Sequence, residues 1–114
     1  MAFVTEKHLD DCKYSYTLSS NIKKFTLRDV TFLQKPNGNY EFSRLLEEAP
    51  NSGSGFLLRI TVNPDLTGFK LFITDQAGLR NVNIFKSASE VIIEKFYFQM
   101  QLFVDREVFT KKEV

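Results

Sequence analysis

Apolar and polar residues alternate along several stretches of the chain, which is the pattern of half-buried β-strands. Four such stretches are Lys13–Leu18, Phe56–Val62, Phe69–Thr74 and Arg80–Phe85. Residues 63–68 contain Pro64 and Gly68, which favour a turn, and they join the second stretch to the third. The last three stretches therefore predict an antiparallel meander.

Two shorter signals precede the meander. Asn37-Gly38 lies between extended runs at residues 31–34 and 40–45, and an Asn-Gly pair in that setting favours a β-hairpin. Ser19 and Ser20 are residue types that cap helix N-termini, so they predict a short helical segment over residues 21–25.

The hydrophobic period changes from two to helical spacing near the C-terminus. Ser87 and Glu90 match the spacing of a capping box, which predicts that a helix begins there. The apolar residues that follow recur at helical spacing and form a broad stripe: Ile92, Ile93, Phe96, Tyr97, Met100, Phe103 and Val104. The sequence thus predicts a long C-terminal helix that covers a sheet.

Together these elements predict an α+β fold. We expect a curved antiparallel sheet of five or six strands, one short helical segment near the N-terminus, and the long C-terminal helix packed on one face of the sheet. With 114 residues the chain has the length of one domain, so residues 1–114 are predicted to form a single domain.

Composition predicts an aromatic core and indicates the cellular compartment. The chain has 12 Phe and 4 Tyr but no Trp, and aromatic side chains bury large areas. Cys12 is the only cysteine, so no internal disulfide is expected. The start MAFVTEKHLDD lacks the pattern of a signal peptide, and no apolar run is long enough to span a bilayer. A cytoplasmic protein without membrane association is the expectation.

Residue types that carry catalysis or bind metals are sparse. His8 and Cys12 are four residues apart, but one histidine and one cysteine are too few for a zinc site and match no nucleophile motif. The glycine-rich stretch at residues 53–55 lacks the Lys-Ser/Thr of a phosphate-binding loop. Glu47 and Glu48 are adjacent and point apart. We therefore predict no catalytic residue, no metal and no cofactor.

One side of the predicted sheet is polar and slightly basic. Such a face is usually a solvated surface, but cations beside an aromatic ring also suit single-stranded nucleic acid. A net charge of +1 is small for a dedicated nucleic-acid-binding domain. The residues of this face are Lys13, Ser15, Thr17, Ser43, Arg59, Thr61, Lys70, Phe72 and Thr74.

A second polar cluster lies in the last predicted strand. Asn81 and Asn83 share one side of that strand, with Arg80 and Lys86 nearby. Two amides beside two cations could bind a carboxylate or a phosphate. Because Asn is a poor strand residue, the alternative is that this segment is an edge or a turn.

Four segments resemble the signature stretches of a family of small bacterial domains of unknown function, found in lactic-acid bacteria and their relatives. They are YTLSSNIKKFTLRD, PNGNYEF, GFLLRITVNPDLTGFKL and GLRNVNIFK, and the resemblance covers nearly the whole chain. It implies a fold like the curved sheet of the TATA-binding-protein class and a link to amino-acid metabolism. It supplies no site residues.

The leading hypothesis is a non-enzymatic binding or accessory protein that serves amino-acid or sulfur metabolism through a protein partner or a small ligand. The second is weak nucleic-acid binding through Lys13, Arg59, Lys70 and Phe72. The third is a small enzyme that uses Arg28, Asp29 or the strand from Arg80 to Lys86. Exposed strand edges also predict a homodimer.

Overall fold

The structure is a computed structural model that describes residues 3–49 and 55–114. These residues contain seven strands and three helices. The strands are β1 (Glu6–Lys7), β2 (Tyr14–Leu18), β3 (Leu33–Gln34), β4 (Tyr40–Leu46), β5 (Phe56–Val62), β6 (Phe69–Asp75) and β7 (Phe109–Glu113). The helices are α1 (Lys24–Asp29), α2 (Ile84–Ser87) and α3 (Glu90–Asp105).

The strands form two antiparallel sheets instead of the single sheet of five or six strands that we predicted. The smaller sheet has the order β1-β2-β7, and the larger has the order β3-β4-β5-β6. The fold class is α+β with a long C-terminal helix, as expected. The likeness to the TATA-binding-protein class stays a prediction.

The N-terminal segment connects the two sheets. The amide of Val4 donates to the Phe69 carbonyl at 2.9 Å, and the Phe69 amide donates back to the Val4 carbonyl at 2.8 Å. Two residues later the same segment pairs with β2 as strand β1. The chain therefore leaves the outer edge of β6 and enters the smaller sheet within a few residues.

Helix α3 packs its aromatic side chains against both sheets. The Phe96 ring meets Tyr16 of β2 with ring centroids 6.4 Å apart, and the Phe103 ring meets Phe42 of β4 at 5.0 Å. Phe96 and Phe103 are completely buried. One continuous apolar cluster thus contains residues from α3 and from both sheets.

The predicted hairpin is present. Lys35 donates its amide to the Asn39 carbonyl at 2.8 Å, and β4 then pairs with β5 in register from Tyr40 with Val62 to Leu46 with Phe56. Gly38 has a φ of +92°, and a Cβ at this position would lie 2.9 Å from the Pro64 side chain. The turn therefore requires glycine for both conformation and space.

Three local predictions were wrong. The first helix spans Lys24–Asp29 instead of residues 21–25, with Leu27 as its buried residue, and Ser19 accepts the Asn21 and Ile22 amides in a turn before it. Residues 80–85 form no strand: Asn81 makes one isolated bridge to Thr74, and α2 begins at Ile84. Ser89, not Ser87, occupies the N-cap position of α3 and makes no side-chain capping bond there, while Ser87 ends α2 and donates its hydroxyl to the Asn83 carbonyl.

Strand β7 had no counterpart in the sequence analysis. It pairs with β2 over five residues, from Tyr14 with Glu113 to Leu18 with Phe109. Only Phe109 is buried, and the four residues after it are exposed. Within residues 3–49 and 55–114, no helix has the length and hydropathy needed to cross a membrane.

Candidate functional site

A groove of about 290 Å³ opens between the two sheets, next to the outer edge of β6. The N-terminal chain forms one wall, β6 forms the floor, and the segment that leads into α2 forms the opposite wall. The residues that line it are Lys7, Leu9, Asp10, Leu71, Phe72, Ile73, Asn81, Val82, Asn83 and Phe85. We call this concavity the inter-sheet groove.

The two walls of the inter-sheet groove are tied to each other. Asn83 donates from Nδ2 to the Asp11 carboxylate at 2.8 Å, and its Oδ1 accepts the Phe85 amide at 2.9 Å as the N-cap of α2. Lys86 lies 3.5 Å from the same Asp11 carboxylate. These contacts hold the N-terminal wall against α2, so the groove is formed before any ligand arrives.

The floor of the groove is the outer edge of β6. Because Phe69 bonds Val4 on the outer edge of β6, strand alternation directs the main-chain groups of Leu71 and Ile73 to that edge as well. The Ile73 carbonyl accepts the Val82 amide at 2.9 Å.

One cation and one anion border the same groove. Lys7 belongs to β1, and Asp10 lies in the turn that follows it. Among the described residues, neither side chain forms an ion pair, although Asp11 next to them does. Within residues 3–49 and 55–114, the two opposite charges beside the groove are therefore not neutralised by a salt bridge.

The structure brings three of the predicted site residues into this groove. Asn81, Asn83 and Phe72 all line it. Arg80 is exposed, and its carbonyl accepts the Asp75 amide. Lys86 forms an ion pair with Asp11, and neither Arg80 nor Lys86 lines the groove. Asn83 has a structural role as a cap, which explains an amide at a position where a strand was predicted.

The predicted polar sheet face is divided between the two sheets. Ser15 and Thr17 belong to β2 of the smaller sheet, which Lys13 precedes, whereas Ser43, Arg59, Thr61, Lys70, Phe72 and Thr74 belong to the larger one. Ser15 and Thr74 are buried. Arg59 covers the Phe72 ring at 5.7 Å, and Lys70 covers the Phe3 ring at 4.7 Å. Arg59 and Lys70 therefore each lie over an aromatic ring.

Cys12 is not an activated nucleophile. Its side chain is 5% exposed, and burial raises the pKa of its thiol, so the thiolate is disfavoured. His8 bonds the carbonyl of Cys12, 2.9 Å from Nε2. Burial likewise raises the pKa of Tyr97, which accepts the Lys13 amide, to about 12.

In the described part of the chain no cluster of side chains suits a metal ion. Residues 53 and 54 of the glycine-rich stretch lie outside the described residues.

A second depression, of about 410 Å³, lies between β4 and α3. Arg44 donates to Gln99 there at 2.6 Å, and Arg106 lies 3.6 Å from Asp29. Asp29 is thus used in an ion pair, and Arg28 does not line this depression. The arginines that border it are already held by protein partners.

Sequence reasoning missed the N-terminal wall of the inter-sheet groove. Lys7, Leu9 and Asp10 lie more than 60 residues before the β6 residues that they face. No local pattern marks them, since they face β6 only because Val4 pairs with its edge. A survey of charged residues in the first ten positions would have found Lys7 and Asp10 without indicating a site.

Comparisons with known proteins agree with one another. The model of the DUF1831 family, described as "Putative amino acid metabolism", matches residues 1–110. A crystal structure of a DUF1831 family protein from Lactobacillus plantarum is 35% identical, with a TM-score of 0.88, and covers 98% of this chain and 99% of that one. None of the curated proteins matches. This chain belongs to the DUF1831 family of small domains of unknown function.

Proposed function

We propose that this protein is a non-enzymatic binding protein that holds a small, partly polar molecule in the inter-sheet groove and serves amino-acid metabolism in the cytoplasm. The groove carries the proposal: it combines an apolar lining with a few polar groups, which is the composition of small-molecule sites. Its volume, near the lower end for such sites, suits a metabolite of the size of an amino acid.

Three further observations support this function. The walls are tied through Asp11, Asn83 and Lys86, so a ligand would not have to form the groove. The family to which the chain belongs is described in terms of amino-acid metabolism. The thiol, which is the strongest nucleophile in the chain, is buried away from solvent and has a raised pKa. This favours binding over chemistry at Cys12.

Saturation-transfer NMR with a mixture of the common L-amino acids and their α-keto acids tests the proposal. We expect signals from a subset of these compounds with the unmodified protein. Asn81→Trp places a large side chain at an exposed position of the groove lining and is expected to abolish them. Arg80→Trp is the matched control, since Arg80 is an exposed neighbour that does not line the groove.

Two outcomes would contradict the proposal. Binding that survives Asn81→Trp would place the ligand elsewhere, and no binding by any compound would remove the small-ligand function. Conversion of one compound into another during the incubation would show turnover, and the non-enzymatic assignment would then be wrong.

Nucleic-acid binding on the outer face of the larger sheet is the second candidate. It is favoured by the arrangement of Arg59 over Phe72 and Lys70 over Phe3 on the two neighbouring strands and the N-terminal segment. Lys13 lies beside the smaller sheet, so only Arg59, Lys70 and Phe72 of the four residues predicted to bind nucleic acid belong to this face. A homodimer through exposed strand edges stays a prediction.

A fluorescence titration with a single-stranded oligonucleotide tests this candidate. Replacing both Arg59 and Lys70 with alanine removes two cations and should weaken binding and flatten its salt dependence by a slope of about 1.4. Replacing Lys23 and Lys24 with alanine removes the same charge from exposed positions outside this face. Affinity that is insensitive to salt, or equal losses in both double variants, would dismiss the candidate.

A further inference from the structure

A small polar cavity of about 130 Å³ lies on the larger sheet, apart from the inter-sheet groove. It has less than half of the groove's volume, and within the described part of the chain the two have no lining residue in common. Six of the eight described residues that line it are polar: Thr31, Lys35, Glu41, Ser43, Arg59 and Thr61. We call it the sheet-face cavity.

The pairing of β4 with β5 forms the base of the sheet-face cavity. Alternate residues of both strands are buried against the core, so the residues between them point to the solvent side of the sheet. On that side the register places Glu41 opposite Thr61 and Ser43 opposite Arg59. Directly opposed side chains in an antiparallel pair have Cβ atoms about 5 Å apart. These four side chains therefore form one compact polar cluster.

The charges around the sheet-face cavity favour an anion. Lys35, Glu41 and Arg59 all border it and all belong to the described residues, yet no ion pair joins Glu41 to either cation. Lys70, opposite Thr61 on β6, adds a third cation to the same side of the sheet. Positive charge therefore exceeds negative charge around the cavity, and the local potential attracts a negatively charged group.

Hydrogen-bond donors enter the sheet-face cavity from several elements. Arg59 carries five N–H donors and Lys35 carries three, and the hydroxyls of Thr31, Ser43 and Thr61 can each donate one bond. These residues belong to β4, to β5 and to the segments before and after β3. An anion with several oxygens that point in different directions suits this arrangement better than a planar carboxylate does.

Thr31 is held in a backbone conformation that favours glycine. Its φ is +74°, and it directly follows Val30, the C-cap of α1. The Phe32 amide donates to the Leu27 carbonyl at 2.9 Å and the Thr31 amide donates to the Arg28 carbonyl at 3.1 Å, which is the Schellman arrangement. A β-branched residue is strained in this conformation, and such strain is concentrated at binding sites. The threonine therefore costs stability at a position where its side chain borders the cavity.

We propose that the sheet-face cavity binds a phosphate group with three free oxygens, as in inorganic phosphate or a phosphate monoester. Arg59 and Lys35 neutralise its charge, and the Thr31 hydroxyl donates to one of its oxygens. This site is additional to the inter-sheet groove and does not depend on the function proposed for the groove.

Amide NMR spectra of the isotope-labelled protein test the inference at constant ionic strength. The probes are inorganic phosphate, glycerol 3-phosphate and glycerol. We expect both phosphates to shift the amide signals of Ser43, Arg59 and Thr61 until the site is saturated, and glycerol to leave them unchanged. The tighter of the two phosphates identifies the source of the group, and either result supports the site.

Thr31→Gly separates binding from stability. It relieves the strained backbone and removes the hydroxyl, so it should raise the melting temperature by roughly 3–6 °C and weaken phosphate binding about fivefold. Glu107→Gly is the matched control, because Glu107 follows the C-cap of α3 with a φ of +61° and does not line the cavity. It should raise the melting temperature and leave binding unchanged.

Charge variants test whether the anion is held at this cavity or by the sheet in general. Arg59→Ala should weaken phosphate binding at least tenfold. Lys70→Ala removes the same charge from the neighbouring strand, outside the lining, and should change binding less than twofold. Glu41→Gln removes a carboxylate that repels phosphate and should tighten binding roughly threefold.

Four outcomes would overturn the inference. They are phosphates that give no saturable shift, full affinity after Thr31→Gly, equal losses for Arg59→Ala and Lys70→Ala, and weaker binding after Glu41→Gln. If a single-stranded oligonucleotide shifts these amides while both small phosphates do not, the surface binds nucleic acid and the inference is also wrong. None of these results bears on the groove, whose amides report its own ligand separately.

Discussion

Replacing Phe103 with alanine is expected to lower the free energy of unfolding by about 3–5 kcal/mol. The Phe103 ring is completely buried and contacts Phe32, Phe42 and Phe109 with centroid distances of 5.5, 5.0 and 6.0 Å. Alanine would remove these contacts and leave a cavity that rigid neighbouring rings cannot fill. Urea denaturation followed by circular dichroism measures the change.

Phe98→Ala is the matched control because it makes the same substitution in the same helix. Phe98 is 66% exposed, and exposed substitutions usually change stability by less than about 0.5 kcal/mol. A loss below about 1.5 kcal/mol for Phe103→Ala, or equal losses for both variants, would contradict the packing of α3 described above.

Replacing Phe109 with alanine is expected to cost about 3–5 kcal/mol as well, for a different reason. Phe109 begins β7 of the smaller sheet, yet its ring lies 5.0 Å from that of Phe69 in β6 of the larger sheet. It is 1% exposed. The side chain therefore joins the two sheets as well as anchoring the last strand, and denaturant unfolding should show one cooperative transition at lower urea.

Thr110→Ala serves as the comparison for Phe109→Ala. Thr110 is the next residue of the same strand, is exposed, and keeps the same pairing with Thr17. Its loss should fall within about 1 kcal/mol. If Phe109→Ala were equally mild, Phe109 would contribute little to the contact between the sheets. If it produced two separate transitions, the sheets would be shown to unfold independently.

The local predictions succeeded where one pattern was sufficient. Phe56–Val62 and Phe69–Asp75 bury nearly every second residue, and an alternating strand with one buried face leaves little freedom of register. The Asn-Gly turn specified the hairpin by its own backbone preference. The stripe from Ile92 to Phe103 specified α3 in the same way.

The failures share a cause. Arg80–Phe85 alternates like a strand, but Asn83 caps α2 and Ile84 is buried as a helical residue. Strand β7 has only Phe109 buried, so its remaining exposed residues give no alternation to detect. In both cases the conformation depends on distant partners, namely Asp11 for Asn83 and β2 for β7.

The residues of the candidate site also divide into those that the sequence indicated and those that only the tertiary structure revealed. Asn81 and Asn83 were recognised because Asn is unusual in a strand, and Phe72 because it is the aromatic residue on the polar side of the predicted sheet; all three line the groove. Lys7 and Asp10 were not, because their side chains join the site only through the pairing of Val4 with Phe69.

The sequence by itself determined the hairpin, strands β5 and β6, the long helix and the family, because each depends on short-range periodicity or on a matching sequence. Only the tertiary structure decided that the strands form two sheets, that β7 completes the smaller one, and that a groove opens between them. Those features depend on long-range pairing, whose partners are chosen by packing against α3 and not by any local preference.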